Sequence, residues 1–224
     1  MAKKEKKVES IALDEQLSKS EAFIEKNLKT ILIVIAAIII VVAGFFIYRN
    51  HQAKVELEAQ NAIAKSQQAF AQEQFEQALN GDGANVMGFL KIIDEYSGTK
   101  TANLAKLYAA ICYANTDKTA EAIKMFEDFD AQNDQMVSPA ALAALGNCYV
   151  KNGDSQKGAE TLVKAAQKAD NDAISPLALR QAGEVYESLN QTDKALELYQ
   201  QIKDKYYRSP LANDIDKYIE RVSK

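Results

Sequence analysis

Residues 139–166 read "PAALAALGNCYVKNGDSQKGAETLVKAA", and the fold turns on whether Gly146, Cys148 and Gly158 in it form an active-site turn or serve packing. The stretch "PLALRQAGEVYESLNQTDKALELYQQI" from Pro176 places Gly183, Tyr186, Ala195 and Tyr199 each 37 residues after Gly146, Tyr149, Gly158 and Leu162. In "NLAKLYAAICYANTDKTAEAIKMFEDF" from Asn103, the residues Ala110, Tyr113, Ala122 and Phe126 precede the same four by 36. The order is small, Tyr, small, large, over two short helices with a polar turn. Such a pair cannot bury its apolar face alone, so the copies must stack. Tyr149 is expected to fill the gap between Gly146 and Gly158, with "NGD" as the turn. Cys148 occupies the position of Cys112 and Val185, a small apolar packing site. Neighbouring helices pack about 8–10 Å apart, beyond the roughly 7 Å that a disulfide allows between Cα atoms. Two free, poorly reactive thiols are expected.

All three prolines follow a serine, at Ser138-Pro139, Ser175-Pro176 and Ser209-Pro210. Serine is a good N-cap and proline is tolerated at the first helical position, so each pair is expected to open a helix. A degenerate copy is expected ahead of the three, with one long helix over Gln52–Leu79, a break at "NGDG" (Asn80–Gly83), and a second helix from "NVMGFLKIIDEYSGT". At the other end, Ser209–Lys224 reads as a capping helix that turns Leu211, Ile215 and Ile219 inward.

Upstream, no charge lies between Lys29 and Arg49 in "KNLKTILIVIAAIIIVVAGFFIYRNHQ". Thr30–Tyr48 as a helix would reach about 29 Å, the thickness of a bilayer's hydrocarbon. A cleaved leader would be shorter and end in small residues, whereas Phe45, Phe46 and Tyr48 stand at this exit. An uncleaved span is therefore expected. Lys3, Lys4, Lys6, Lys7, Lys19, Lys26 and Lys29 precede it, against Arg49, Lys54 and Lys65 just after it, so the amino terminus is expected in the cytoplasm and the remainder outside. "SKSE" at Ser18–Glu21 has the form of a capping box.

The expected fold is all-α: a single N-terminal transmembrane helix, then an α-solenoid of helical hairpins. The expected boundaries are a disordered cytoplasmic tail over 1–17, helix start and anchor over 18–50, juxtamembrane helix and degenerate repeat over 51–99, three repeats over 100–208, and a cap over 209–224.

Catalytic chemistry has no visible carrier. A net charge of −4 disfavours non-specific nucleic-acid binding. His51 is the only histidine, the two cysteines form no C-x-x-C pair, and a zinc site would need more ligands. Nucleophile elbow, phosphate loop and H-E-x-x-H patterns are missing, and "NGDG" lacks the later ligands of a calcium loop. No enzyme activity, cofactor, metal or small-molecule substrate is expected.

The hairpin pattern resembles the tetratricopeptide repeat, and "LGNCYVKNGD" is close to that family's first helix and turn. The resemblance implies protein binding on a concave face lined by each repeat's first helix. The positions carried over are Leu104, Leu107, Ile111 and Asn115; Ala143, Asn147, Val150 and Lys151; and Leu177, Arg180 and Glu184. They grade from apolar to polar, which suits an extended, partly apolar segment. One subset of the family clamps the acidic ends of heat-shock chaperones. Asn147 matches one clamp position, but Ala143 and Leu177 stand where others would be, so the clamp is incomplete. The whole arrangement, a basic-flanked anchor followed directly by a small repeat domain, resembles the YfgM-like ancillary subunits of the bacterial SecYEG translocon, with "YRNHQ" at Tyr48–Gln52 as the sharpest local likeness. That resemblance implies a single-pass inner-membrane protein with a periplasmic domain. Its partners would be SecYEG, a PpiD-like membrane-anchored chaperone and translocating polypeptides, which it helps hand to periplasmic chaperones. A scaffold for another cell-envelope complex, in secretion or cell-wall assembly, is the alternative. A cytosol-facing receptor on an organelle's outer membrane is disfavoured by the lysine bias.

Overall fold

The computed structural model describes residues 2–223, with side chains described from Phe23 onward except at residue 25. Two compact units divide the chain, Met1–Lys54 and Val55–Lys224. In the first, the backbone is helical from Ala2, as part of α1 (Ala2–Ala71). Residues 1–17 were expected as a disordered tail, and residues 18–21 now lie within a helix rather than at its start. The side chains of that expected capping box lie outside the described residues. Leu32, Ile40, Phe46 and Ile47 are all more than half exposed. By length and composition this helix can cross a membrane.

The second unit is a run of hairpins. α1 from Val55 pairs with α2 (Phe75–Asn80) and α3 (Phe89–Glu95). α4 (Lys100–Asn115) pairs with α5 (Thr119–Asp128), α6 (Val137–Lys151) with α7 (Ser155–Ala169), and α8 (Ser175–Ser188) with α9 (Thr192–Lys205). A 3-10 turn over Pro210–Asp214 and α10 (Ile215–Val222) close the array. Each helix packs on its chain neighbours, and one apolar cluster forms between each hairpin and the next. This is the quasi-one-dimensional stacking of a solenoid.

The same hinge joins the helices in all four hairpins. Glu73 (φ 59°), Asp117 (φ 59°), Gly153 (φ 95°) and Asn190 (φ 58°) are left-handed. The residue after each donates its backbone N–H back across the turn: Gln74 to Ala69 O at 3.0 Å, Lys118 to Tyr113 O at 3.0 Å, Asp154 to Tyr149 O at 2.9 Å and Gln191 to Tyr186 O at 2.9 Å. The left-handed conformation strains an L side chain, and of the four only Gly153 escapes that strain.

The hinge also corrects the expected course of the first hairpin. The long helix ends at Ala71 and not at Leu79, because Glu73 already turns the chain. In register with the other hairpins, Ser66 and Ala78 hold the small positions, both fully buried. Asp82 then falls where the others place Phe126, Leu162 and Tyr199. A carboxylate cannot fill that core, and the chain loops out instead. Asp82 Oδ1 accepts the N–H groups of Ala84, Asn85 and Val86 at 2.9, 2.7 and 2.8 Å, and these bonds hold its carboxyl at about 2. Gly81 and Gly88 close the loop back to back, each at φ 83°; a Cβ on Gly81 would meet Val86 O at 2.4 Å. α3 then brings Phe89 into the core, stacked on Tyr108 with ring centres 5.1 Å apart.

Helix starts also differ from expectation. Ser138 and Ser175 are not caps. Asp134 Oδ1 accepts the Met136, Val137 and Ser138 N–H groups at 2.9, 2.6 and 3.1 Å, and Asn171 Oδ1 accepts those of Ala173 and Ile174 at 3.0 and 2.9 Å. Acceptors four residues upstream do the capping, and the two serines are buried ties instead: Ser138 Oγ donates to Asp134 Oδ2 at 2.5 Å, and Ser175 Oγ to Ala166 O at 2.8 Å. Ser209 does cap, accepting from Leu211 N at 3.4 Å.

The crossing of α6 and α7 depends on Gly146 and Gly158. A Cβ on Gly146 would meet Leu162 Cγ at 2.9 Å and Gly158 O at 3.0 Å; one on Gly158 would meet Val150 Cγ2 at 2.4 Å and Gly146 O at 2.8 Å. Val150 and Leu162 therefore fill the gap that Tyr149 was expected to fill. Tyr149 faces the preceding hairpin, buried in its cluster, and donates its hydroxyl to Glu127. At the next crossing Tyr199 does occupy the space over Gly183, where a Cβ would lie 2.4 Å from its ring. Overpacking of a rigid core costs about 1–3 kcal/mol. Gly183→Ala is expected to lower stability by that amount in denaturant melts.

Cys112 and Cys148 are free and buried in separate clusters. Burial pushes the Cys112 thiol up to about 12 and the Cys148 thiol above its ordinary value. The thiolate is the nucleophile, so both are poorly reactive. Maleimide labelling of the folded protein at neutral pH is expected to be slow at both positions and to become fast only in denaturant.

Candidate protein-binding face

α4, α6 and α8 carry the expected binding positions, and none of those side chains is buried. Asn115, Asn147, Lys151 and Leu177 are exposed; Leu104, Leu107, Ile111, Ala143, Val150, Arg180 and Glu184 are half-buried. Their partners divide them. Leu107 and Ile111 lean on the cluster between the second and third hairpins, and Ala143 on the next cluster. Val150 covers Gly158 within its own hairpin. These four serve packing. Asn115 turns back to its own helix, donating to Ile111 O at 2.8 Å.

The polar positions join successive repeats. Lys151 Nζ meets Asp117 Oδ1 at 2.6 Å, and Asn147 Nδ2 donates to Gln181 Oε1 at 3.3 Å. Arg180 meets Glu184 at 2.9 Å and donates to the Tyr218 hydroxyl at 3.3 Å. At the end of the face Arg221 Nη2 meets Glu187 Oε1 at 2.6 Å, and the same carboxylate accepts from the Tyr199 hydroxyl. The cations Lys151, Arg180 and Arg221 are thus all engaged by carboxylates of the array. Asp117 and Gln181, absent from the expected positions, are the partners; the 34-residue interval from Asp117 to Lys151 was the signal that could have found the first.

Glu187 shows the balance of forces. Burial pushes its carboxyl up, but hydrogen bonds from Arg221 and Tyr199 and the Arg221 charge outweigh burial and leave it below its ordinary 4.5. Burial and the Glu187 hydrogen bond together raise the Tyr199 hydroxyl. Among the described residues no cluster of three His, Cys, Asp or Glu side chains is placed to hold a metal ion.

Sequence reasoning missed a pocket of 640 Å³ between the start of α4 and residues 129–138. Of the expected positions only Leu104 lines it. The other walls come from the α5–α6 connection, whose course no periodicity reveals.

A stack of helical hairpins with side-chain bonds between successive first helices defines a repeat scaffold for protein–protein interaction. Residues 21–201 match the family model described as tetratricopeptide repeat-like domain, and the chain belongs to that family. No curated protein matches it. Among solved structures it is similar to a Podosopora anserina array described as kinesin light chain nearly identical TPR-like repeats, at 13% identity and TM-score 0.57, over 75% of this chain and 85% of that one. It is also similar to MamA, at 16% identity and TM-score 0.53, over 76% of this chain and 91% of that one. These likenesses show the fold.

Below 4.5 the Glu187 contribution is lost as the pH falls, because a carboxyl held low in the folded state stabilises only while ionised. Glu187→Gln is expected to cost about 1 kcal/mol at neutral pH, since the half-exposed Arg221 leaves the pair partly screened. It is also expected to flatten the loss of stability on acidification. Urea melts from neutral to acidic pH measure both.

Proposed function

We propose that the chain is a membrane-anchored adaptor of the bacterial inner membrane. Its repeats face the periplasm beside the SecYEG translocon and help pass translocated polypeptides to periplasmic chaperones. One observation carries this reading. The apolar stretch of α1 leaves its large side chains uncovered, as lipid would require, and the chain then runs directly into an interaction-type repeat array. The lysines before the apolar stretch support a cytoplasmic amino terminus, and the likeness to the YfgM-like ancillary subunits supplies the translocon. A PpiD-like chaperone is the partner that likeness implies.

Two measurements test the reading. A phosphatase fused after Lys224 is expected to be active, because that enzyme works only in the periplasm. Purification in mild detergent is expected to recover translocon subunits and the membrane-anchored chaperone together. An inactive fusion overturns the orientation. A stable complex lacking both translocon and chaperone overturns the adaptor role and favours a scaffold of another envelope assembly.

A further inference from the structure

The repeat array has two unlike edges. One is formed by the hinges inside the hairpins, at Glu73, Asp117, Gly153 and Asn190. The other is formed by the connections between hairpins, and side-chain bonds tie those connections into one row. Glu56 starts the row by accepting the Lys100 backbone N–H at 2.8 Å and the Thr101 hydroxyl at 2.7 Å. Asn103 then holds the Asp130 backbone, at 2.9 and 2.8 Å, and Asn171 Nδ2 donates to Gln135 O at 2.7 Å. Asp170 ends it, meeting Lys205 Nζ at 2.6 Å and accepting the Tyr206 hydroxyl at 3.2 Å.

Apolar exposure is confined to this second edge. Beyond Lys54, the large hydrophobic side chains exposed among the described residues are Leu57, Met136, Val137, Leu177 and Tyr207. Leu57 adjoins Glu56, Met136 and Val137 open α6, Leu177 lies in the first turn of α8, and Tyr207 follows α9. The hinges carry no counterpart: Leu189 is half-buried and packs on a core cluster. Random scatter of surface hydrophobes needs no explanation, but their gathering on one edge points to a partner there.

The chain itself indicates which partner. Glu56 follows Tyr48, the end of the apolar stretch, by eight residues. Even fully extended, those residues hold the Glu56 edge within about 28 Å of a bilayer, whatever direction the array takes. The hinge edge is further along the chain, since α1 from Val55 to Ala71 adds about 24 Å before the first hinge. Tyr207 is 63% exposed, and the Arg208 guanidinium lies 5.6 Å from its ring centre. An amphipathic ring beside a cation suits the headgroup level of a membrane. Charges along the row have both signs, with Lys100, Lys205 and Arg208 against Asp130, Asp134 and Asp170. Such a row offers no cationic field to attract anionic lipid, so contact would come from apolar insertion.

We propose that the inter-hairpin edge is a second membrane contact, which seats Met136, Val137, Leu177 and Tyr207 in the headgroup layer of a zwitterionic bilayer. It rests on the membrane-anchored reading for the bilayer and adds the array's orientation on it, with the hinges pointing away.

The test uses the full chain in phosphatidylcholine nanodiscs that carry a headgroup spin label. Ala173→Cys on the inter-hairpin edge and Thr192→Cys beside a hinge, both exposed positions, are each labelled with bimane. The parent chain treated alike corrects for its two buried thiols. Bimane at 173 is expected to be quenched and bimane at 192 to keep its fluorescence. Adding Val137→Ser, Leu177→Ser and Tyr207→Ser together is expected to abolish quenching at 173, and Tyr207→Ser alone to reduce it; exposed substitutions of this kind leave stability nearly unchanged, which melts verify. High salt is expected to leave the quenching in place. Equal quenching at both positions, none at 173, persistence in the triple variant or loss in high salt would each overturn the proposal. Self-association that the triple variant removes, with no quenching at 173, would do the same and assign the edge to a second copy. A chain that an alkaline wash strips from the discs overturns the anchor as well, whereas a retained chain without quenching at 173 overturns the edge contact alone.

Discussion

Each hairpin depends on how closely its two helices can approach at one crossing. Two residues set that distance: Ser66 and Ala78, Ala110 and Ala122, Gly146 and Gly158, Gly183 and Ala195. At the third pair a Cβ on either glycine would run into the other's carbonyl oxygen. Close approach gives many small dispersion contacts, and these are lost together when the helices are held apart. The left-handed residue at each hinge serves the same end. It turns the chain within three residues, so the second helix starts where it can lie against the first.

Given that crossing, each hairpin needs one large side chain to fill the space beside it. Leu162 and Tyr199 supply it at the third and fourth crossings. The first hairpin has Asp82 there and meets the need differently, with an eight-residue loop over 81–88 and Phe89 brought in on α3. The loop's cost is lowered by the three backbone N–H groups that Asp82 gathers. An apparent defect in the repeat thus becomes a locally satisfied turn, and the core stays filled.

The face made by α4, α6 and α8 is shaped by the same stacking. Because equivalent positions of consecutive repeats stand side by side, a lysine in one copy finds an aspartate in the one before it, as Lys151 finds Asp117. Exposed pairs of this kind add little stability. Their larger consequence is chemical, because Lys151, Arg180 and Arg221 already hold carboxylates of the array.

Sequence alone determined the helical class, the three clear hairpins, the small positions at 110, 146 and 183, and the apolar stretch after Lys29. Each is periodic, and period reflects the geometry of helices and of stacking. Only the tertiary structure decided the end of α1, the caps at Asp134 and Asn171, the role of Val150 over Gly158, the partners Asp117 and Gln181, and the pocket. Those features arise where irregular segments meet residues far away in the chain. Single contacts made across a loop repeat nothing, so they leave no period to read.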